Sequence, residues 1–536
     1  MIEQPNTNRL TALRACVLLV AVAVAGPAMT VALMTAGLSL IPAAVVAVLI
    51  FTCTAPFVWG LLPASLPAGR GVRLLFLAWL MLCGFVALRM GKHSVFMYDV
   101  GRTEFAFDAP IRSLDDPELT KPFYVKHNCY TSYIIGAHLA SQRVRNIYES
   151  DQYRDPEIET DIHNTIGDAL TIDRYQYPPP FLLLPRLMLA SGDFFKSRTY
   201  WYALNVGIIC LAVVLLSAWV GGRSFGVAWF ALPIVLIAPV TTSSLQIGNV
   251  HLLIICISIL AMLAFEHRRF AVGGVLLGFA VISKLFPGLL LAYLVVTRRW
   301  RAVAWTCAFM VGLTGATLLV FGLEPFRAFF EYQAPRLASG EAFSFSWEKI
   351  RPLAANLSVM GVAHKLSRLD LLGELDPIAV AKVLSLVFTI VLAAGLLAIG
   401  IGDFARRRTE RAPSESNTAT HLEALAWLAI LIVAELRSPF LPWGYANLPI
   451  LWLLTLLLAQ RWWRPAKHVV LLALIVGFAV NIPLFFGPPT VTFDLWYTVA
   501  AFLVILTICM SIMGVRALRR TGSPGGGASR PILASS

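Results

Sequence analysis

The chain has little charge: only 14% of its 536 residues are Asp, Glu, Lys or Arg, against 58% apolar. A soluble chain of this length would divide into several domains with charged surfaces. Here the charges gather in short clusters between apolar runs of about 20 residues, the length a bilayer-spanning helix needs. The expected fold is therefore an all-α polytopic integral membrane protein. Also missing are a Walker P-loop, a GxGxxG element after a strand, an HExxH helix and paired CxxC motifs, so no cytosolic nucleotide-driven engine is legible. Of the eight cysteines, only Cys129 falls in a polar segment. Cys16, Cys53, Cys83, Cys210, Cys256, Cys307 and Cys509 lie in apolar runs. No disulfide framework or zinc site follows, and neither a cofactor nor a metal is expected.

What is present is basic and unevenly placed. The formal charge is +13, yet Arg70 and Arg73, Arg268 and Arg269, Arg298–Arg301, Arg406–Arg408, Arg461 with Arg464, and Arg516 with Arg519 and Arg520 each abut an apolar run. Such clusters mark cytoplasmic loops and attract anionic lipid, so nucleic acid is not the expected partner. The N-terminus is basic and then apolar. It reads as an uncleaved first helix, because a second apolar run follows after a short turn.

With the N-terminus inside, the helices of residues 1–89 deliver the chain to the outer face, and 90–177 forms a large first outer loop. That segment holds 14 of the 30 acids against nine Lys and Arg, which makes one acidic lobe in a basic protein. Residues 178–323 form a central transmembrane core, 324–377 a second outer loop, 378–515 the C-terminal helices and 516–536 a flexible cytoplasmic tail. Between 178 and 265 lie four apolar runs where the charge pattern permits an odd number of crossings, so one run must fall short. The two runs flanking SKLFPG at 283–288 are each nearer 14 residues than 20, which suggests a short or re-entrant hairpin.

Polar residues at apolar boundaries are costly unless they serve a site or reach the interface. They include Gln246 and Asn249 in LQIGNVHLL, Lys284 in SKLFPG, Asn356 and Ser358 in AANLSVMG, and Arg437 in ELRSPFLPWGY. Snorkelling competes with anion binding for Lys284 and Arg437, and helix capping competes with a substrate role for Gln246 and Asn249. His251, His127 and His138 read first as structural histidines.

QYPPPFLLLP, then the stretch from LQIGNVHLL through SKLFPG to TRRWRA, then NLSVMG and RSPFLPWGYANLPILWLL, in this order, resemble glycosyltransferase family 87 over roughly residues 120–465. The resemblance implies a membrane enzyme of the GT-C class, a bundle of about 11–14 helices. Its members invert the configuration of a hexose, typically mannose, taken from a polyprenyl phosphate and added to a glycan or glycolipid on the outer face of the plasma membrane. A lipid-linked donor needs no nucleotide site. It does need a cation at the leaving phosphate, and Lys284 and Arg437 are the candidates. Gln246, Asn249, His127, Tyr133 and Tyr177 complete the candidate substrate-binding set.

The base is harder to place, because HNCYTSYIIGAH at 127–138 carries no carboxylate. By the GT-C resemblance it comes from the first outer loop, with Asp99 first, Asp108 second and the Asp115–Asp116 pair, represented by Asp116, third. Two other classes stay open: a transporter or flippase for lipid-linked saccharides, and a non-catalytic glycolipid-binding relative. No internal repeat of the kind many transporters carry is visible.

Overall fold

A hydrocarbon layer offers backbone N–H and C=O groups no partners but each other, so a chain this apolar crosses it as helix. The computed structural model describes residues 128–154, 173–189, 194–220, 239–409, 417–458 and 491–518, with isolated positions between them such as Met90 and Met97. Among these residues all regular structure is helical, and one isolated bridge joins Asn356 to Pro442. The main helices are α1 (Tyr130–Ser141), α2 (Leu183–Leu189), α3 (Phe194–Val220), α4 (Pro239–Gln246), α5 (His251–Glu266), α6 (Phe270–Ser283), α7 (Gly288–Val296), α8 (Trp300–Phe321), α9 (Val359–Arg368), α10 (Pro377–Thr409), α11 (Asn417–Leu436), α12 (Trp443–Leu458) and α13 (Val491–Leu518). Of these α3, α8, α10 and α13 are long and apolar enough to span a membrane. The protein is an all-α, multi-pass membrane protein.

Burial sorts these helices into layers. α5 is apolar on every face, and nearly all of its side chains are buried, as are those of the second half of α11. A helix of that kind belongs in the middle of a bundle. α8 and α10 instead turn Val311, Leu319, Val383 and Leu386 outward, where lipid tails are as apolar as the side chains. α6 packs between α5 and α8. A Cβ at Gly274 would lie 2.8 Å from the backbone carbonyl carbon of Trp305, so a glycine is what lets α6 and α8 approach this closely.

One end of the bundle is tied by buried ion pairs. Glu423 of α11 accepts from Arg299 Nη2 and from Arg516 Nε of α13, each at 2.8 Å, and also from the Tyr293 hydroxyl. Arg516 reaches Asp403 of α10 at 2.7 Å, and Arg299 pairs with Glu266 at the end of α5. The Glu266–Arg299 pair has a topological consequence. Residues 267–298 leave and return at one level, so α6 and α7 form a re-entrant hairpin, as the two short apolar runs suggest. α6, with 14 residues, is about 21 Å long, shorter than a hydrocarbon layer about 30 Å thick, and Lys284 stands at the hairpin tip where it ends.

The run at Pro179–Leu189, a 3₁₀ turn followed by α2, is too short to cross as a helix, and α5, with 16 residues, is also among the shorter apolar helices. Arg186 donates to Ser141 at 2.5 Å and lies 5.9 Å from the Phe321 ring, at the end of α8 away from Arg299. Much of the 226–242 run lies outside the described residues.

Removing Glu423 leaves one buried guanidinium, Arg516, and one half-buried, Arg299, without their shared carboxylate. Glu423→Ala should destabilise the protein by about 3–5 kcal/mol, read as a lowered thermal midpoint in detergent, whereas a lone exposed pair such as Arg336–Glu341 should contribute about 1 kcal/mol or less.

Candidate functional site

Residues 245–250 pass from α4 to α5 through a tight turn in which Gly248 adopts φ +70°, the left-handed region that favours glycine. Three elements hold the turn from outside. Cys129 N–H donates to Ile247 O at 2.6 Å and Asn128 Nδ2 to Gln246 O at 3.3 Å. Trp201 Nε1 donates to Gly248 O at 2.7 Å, and the Tyr133 hydroxyl accepts from Val250 N at 3.0 Å. Tyr130 stacks on Trp201 with centroids 5.6 Å apart. The described part of HNCYTSYIIGAH therefore packs into the core and seats this turn.

At the tip of the α6–α7 hairpin Lys284 meets that turn. Its Nζ lies 3.0 Å from His251 Nδ1 and donates to Asn249 Oδ1 at 3.4 Å. The same Asn249 oxygen accepts the backbone N–H of His251 at 2.9 Å, while Asn249 Nδ2 donates to the Tyr445 hydroxyl at 2.7 Å and to Cys129 Sγ at 3.4 Å. The ammonium stands 5.4 Å from the Tyr177 ring centroid and 5.5 Å from that of Tyr445, within cation–π range. His251 is stacked between Phe286 and Tyr445, and its Nε2 lies 3.5 Å from the fully buried carboxylate of Glu435. The Tyr177 hydroxyl is 3.1 Å from that of Tyr133. Burial pushes both phenols well above their ordinary value, so both rings stay neutral.

A second clamp positions Glu435 and Tyr445 on either side of the cluster. Asn356 Oδ1 accepts the N–H groups of Ser358 and Leu441, each at 3.0 Å, and Ser358 Oγ donates to Pro439 O at 3.1 Å while capping α9 at Gly361 N. Ser244 Oγ donates to Gly444 O at 2.9 Å. Behind the clamp Lys365 donates to Asn356 O at 2.6 Å and to Thr498 Oγ1 at 2.5 Å. Burial pulls its ammonium down to about 7, with Asp494 acting in the opposite sense.

Of the residues singled out from the sequence, Lys284, Asn249 and Tyr177 come together, with Tyr133 joined through Tyr177. Gln246 is buried in the same turn, its carbonyl held by Asn128. Arg437 is exposed, and its guanidinium donates to Thr389 at 2.6 Å. Asp99, Asp108, Asp116 and His127 lie outside the described residues. His251 turns out to have charged partners on both ring nitrogens, and Glu435 and Tyr445 enter the cluster without having been marked as site residues. Glu435 had a signal, being an acid in an apolar run. Among the described residues no group of three His, Cys, Asp or Glu is placed to hold a metal ion.

Residues 175–415 match the model of glycosyltransferase family 87, which gives the chain its activity class: it is a membrane glycosyltransferase. The matched region contains the 245–250 turn and the hairpin, and ends before Glu435 and Tyr445. No curated protein and no solved structure matches the chain.

The turn carries its own test. A Cβ at Gly248 would lie 2.9 Å from Asn128 Oδ1 on a backbone that L residues resist. Gly248→Ala should cost about 1–2 kcal/mol from the backbone alone, seen as a lower thermal midpoint; an unchanged midpoint would mean that the turn is not held as described.

Proposed function

We propose that this glycosyltransferase, matched to family 87 over residues 175–415, takes a hexose, mannose in the first place, from a polyprenyl-phosphate donor. It passes the sugar with inversion to a hydroxyl of a glycolipid or polysaccharide on the outer face of the plasma membrane. Under the positive-inside rule the arginine-rich end of the bundle faces the cytoplasm, so the hairpin tip is directed toward the opposite face.

The observation that carries the reading is the coordination of Lys284. An ammonium has three N–H donors, and His251 Nδ1 and Asn249 Oδ1 take two of them. The third is available to a ligand, between two neutral tyrosine faces. A phosphate oxygen suits that donor. As the bond from the anomeric carbon to the phosphate oxygen breaks, negative charge grows on the phosphate, and a fixed cation stabilises it most at that moment. Asn249, Tyr177 and Tyr133 line the sugar side of this reading, with Gln246 behind them.

The acceptor hydroxyl attacks from the face opposite the phosphate and gives up its proton to a base. Asp99 is the first choice, ahead of Asp108 and Asp116. Met97, two residues before it, has its carbonyl held by Arg198 Nη2 and Thr199 Oγ1, each at 3.1 Å, less than one turn from Trp201 on α3. Trp201 in turn holds the Gly248 carbonyl.

Membranes given radiolabelled polyprenyl-phosphate-mannose should form a labelled lipid or glycan. Lys284→Ala should lower donor use about 10²–10³-fold with expression unchanged, and Asp99→Asn should abolish transfer while donor binding persists. Unchanged donor use in Lys284→Ala removes that residue from the site. Full activity in Asp99→Asn, with loss in Asp108→Asn or Asp116→Asn, moves the base along the same loop.

A further inference from the structure

Glu435 is fully buried at the end of α11, and neither of its oxygens accepts a hydrogen bond among the described residues; its nearest charged neighbour is His251. A carboxylate in hydrocarbon is expensive and keeps its charge only where a cation stands close, and Lys284 is the cation beyond His251. The chemistry of the three groups orders them. Lys284 is donor-only, so His251 Nδ1 must accept from it, and the imidazole proton then sits on Nε2 and faces Glu435 Oε2 at 3.5 Å. The stack between Phe286 and Tyr445 fixes the ring plane that makes both contacts possible.

We propose that Glu435 is a positioning residue that, acting through His251, keeps Lys284 a cation and fixes which of its N–H bonds is turned to the donor. The inference rests on the reading of Lys284 as the phosphate-binding group. The groups that act on Lys284 from the elements packed around it are few. Cys129 lies ahead of α1, and Asp173 and Tyr177 lie in the segment before α2. His251 is on α5, Glu435 on α11 and Tyr445 on α12. Of these, Tyr177 and Tyr445 present ring faces, Asp173 acts on those two tyrosines, Cys129 presents its sulfur to Asn249, and Glu435 acts on the lysine through its charge. Glu435 is the carboxylate linked to the lysine by a single bridging side chain. Removing its charge removes the field that favours the protonated amine, so the amine loses its proton at lower pH.

The test compares pH profiles of donor kcat/KM for the parent, Glu435→Gln, Glu435→Asp and Lys284→Ala, using radiolabelled polyprenyl-phosphate-mannose. Glu435→Gln keeps the shape and loses the charge. Its alkaline limb should move to lower pH by about 1–3 units, with activity returning toward the parent as the pH falls. Glu435→Asp should lie between the two. His251→Phe keeps the ring stack, cuts the bridge and should show the same displacement, which covers the case in which Glu435→Gln does not fold. Reductive methylation of Lys284, followed by mass spectrometry of its peptide, reads the same shift without substrate. A purely structural Glu435 would lower activity equally at every pH. That result, or a Glu435→Gln profile superimposed on the parent's while Lys284→Ala loses donor use, overturns the role of Glu435 alone. Unchanged donor use in Lys284→Ala would instead remove the phosphate reading beneath it.

Discussion

An ammonium group held at the tip of a helical hairpin inside an apolar bundle is the constraint on which the rest of this structure depends. Uncompensated, Lys284 would cost several kcal/mol. Here it is met by the Asn249 carbonyl, the His251 ring and two tyrosine faces, and each of these is held in turn. Asn249 is set by a left-handed turn that Asn128, Cys129, Trp201 and Tyr133 grip from outside. Tyr445 is set by the Asn356–Ser358 clamp and by Ser244. Residues distant in the chain thus converge to keep one charge in one place, an organisation that suits the proposed binding role and that a snorkelling lysine does not need.

The opposite end of the bundle solves a different problem. Glu423, Arg299, Arg516, Asp403 and Glu266 form a continuous buried network joining α5, α10, α11 and α13 near the arginine-rich loops. Every carboxylate there has an arginine within hydrogen-bond distance, so the acidic charge is met internally. Lys284, by contrast, is met by an amide oxygen, an imidazole nitrogen and two ring faces, an arrangement that suits the proposed phosphate-binding role. The same network returns the α6–α7 hairpin to its starting level, and so sets how deep the lysine sits.

Much of the architecture was legible in the sequence because the bilayer fixes the length of an apolar run. The helices near 200–219, 302–321, 378–402 and 494–515 appear where long runs predict them, and the two short runs around SKLFPG become the hairpin. Lys284 and Asn249 stood out as polar residues that a membrane segment does not carry without reason. The partners were less visible. Glu435 and Tyr445 lie more than 150 residues beyond Lys284, and no periodicity links them. His251 looked like a structural histidine because its two charged neighbours come from other helices. Arg437 stood out on the same grounds; it lies two positions after Glu435, and residues so spaced near a helix end point to different sides, so its guanidinium turns to Thr389 while the carboxylate turns to His251.

The central claim is that Lys284 receives the phosphate of a lipid-linked donor. It is tested most directly by a structure of the protein with a non-cleavable polyprenyl-phosphonate analogue of the sugar donor. The expected result is a phosphonate oxygen at about 2.7–2.9 Å from Lys284 Nζ, with His251 and Asn249 still on the other two donors and the sugar ring against Tyr177. A phosphonate seated beside Arg437 and Thr389, with the Lys284 cluster unchanged and unoccupied, would contradict it.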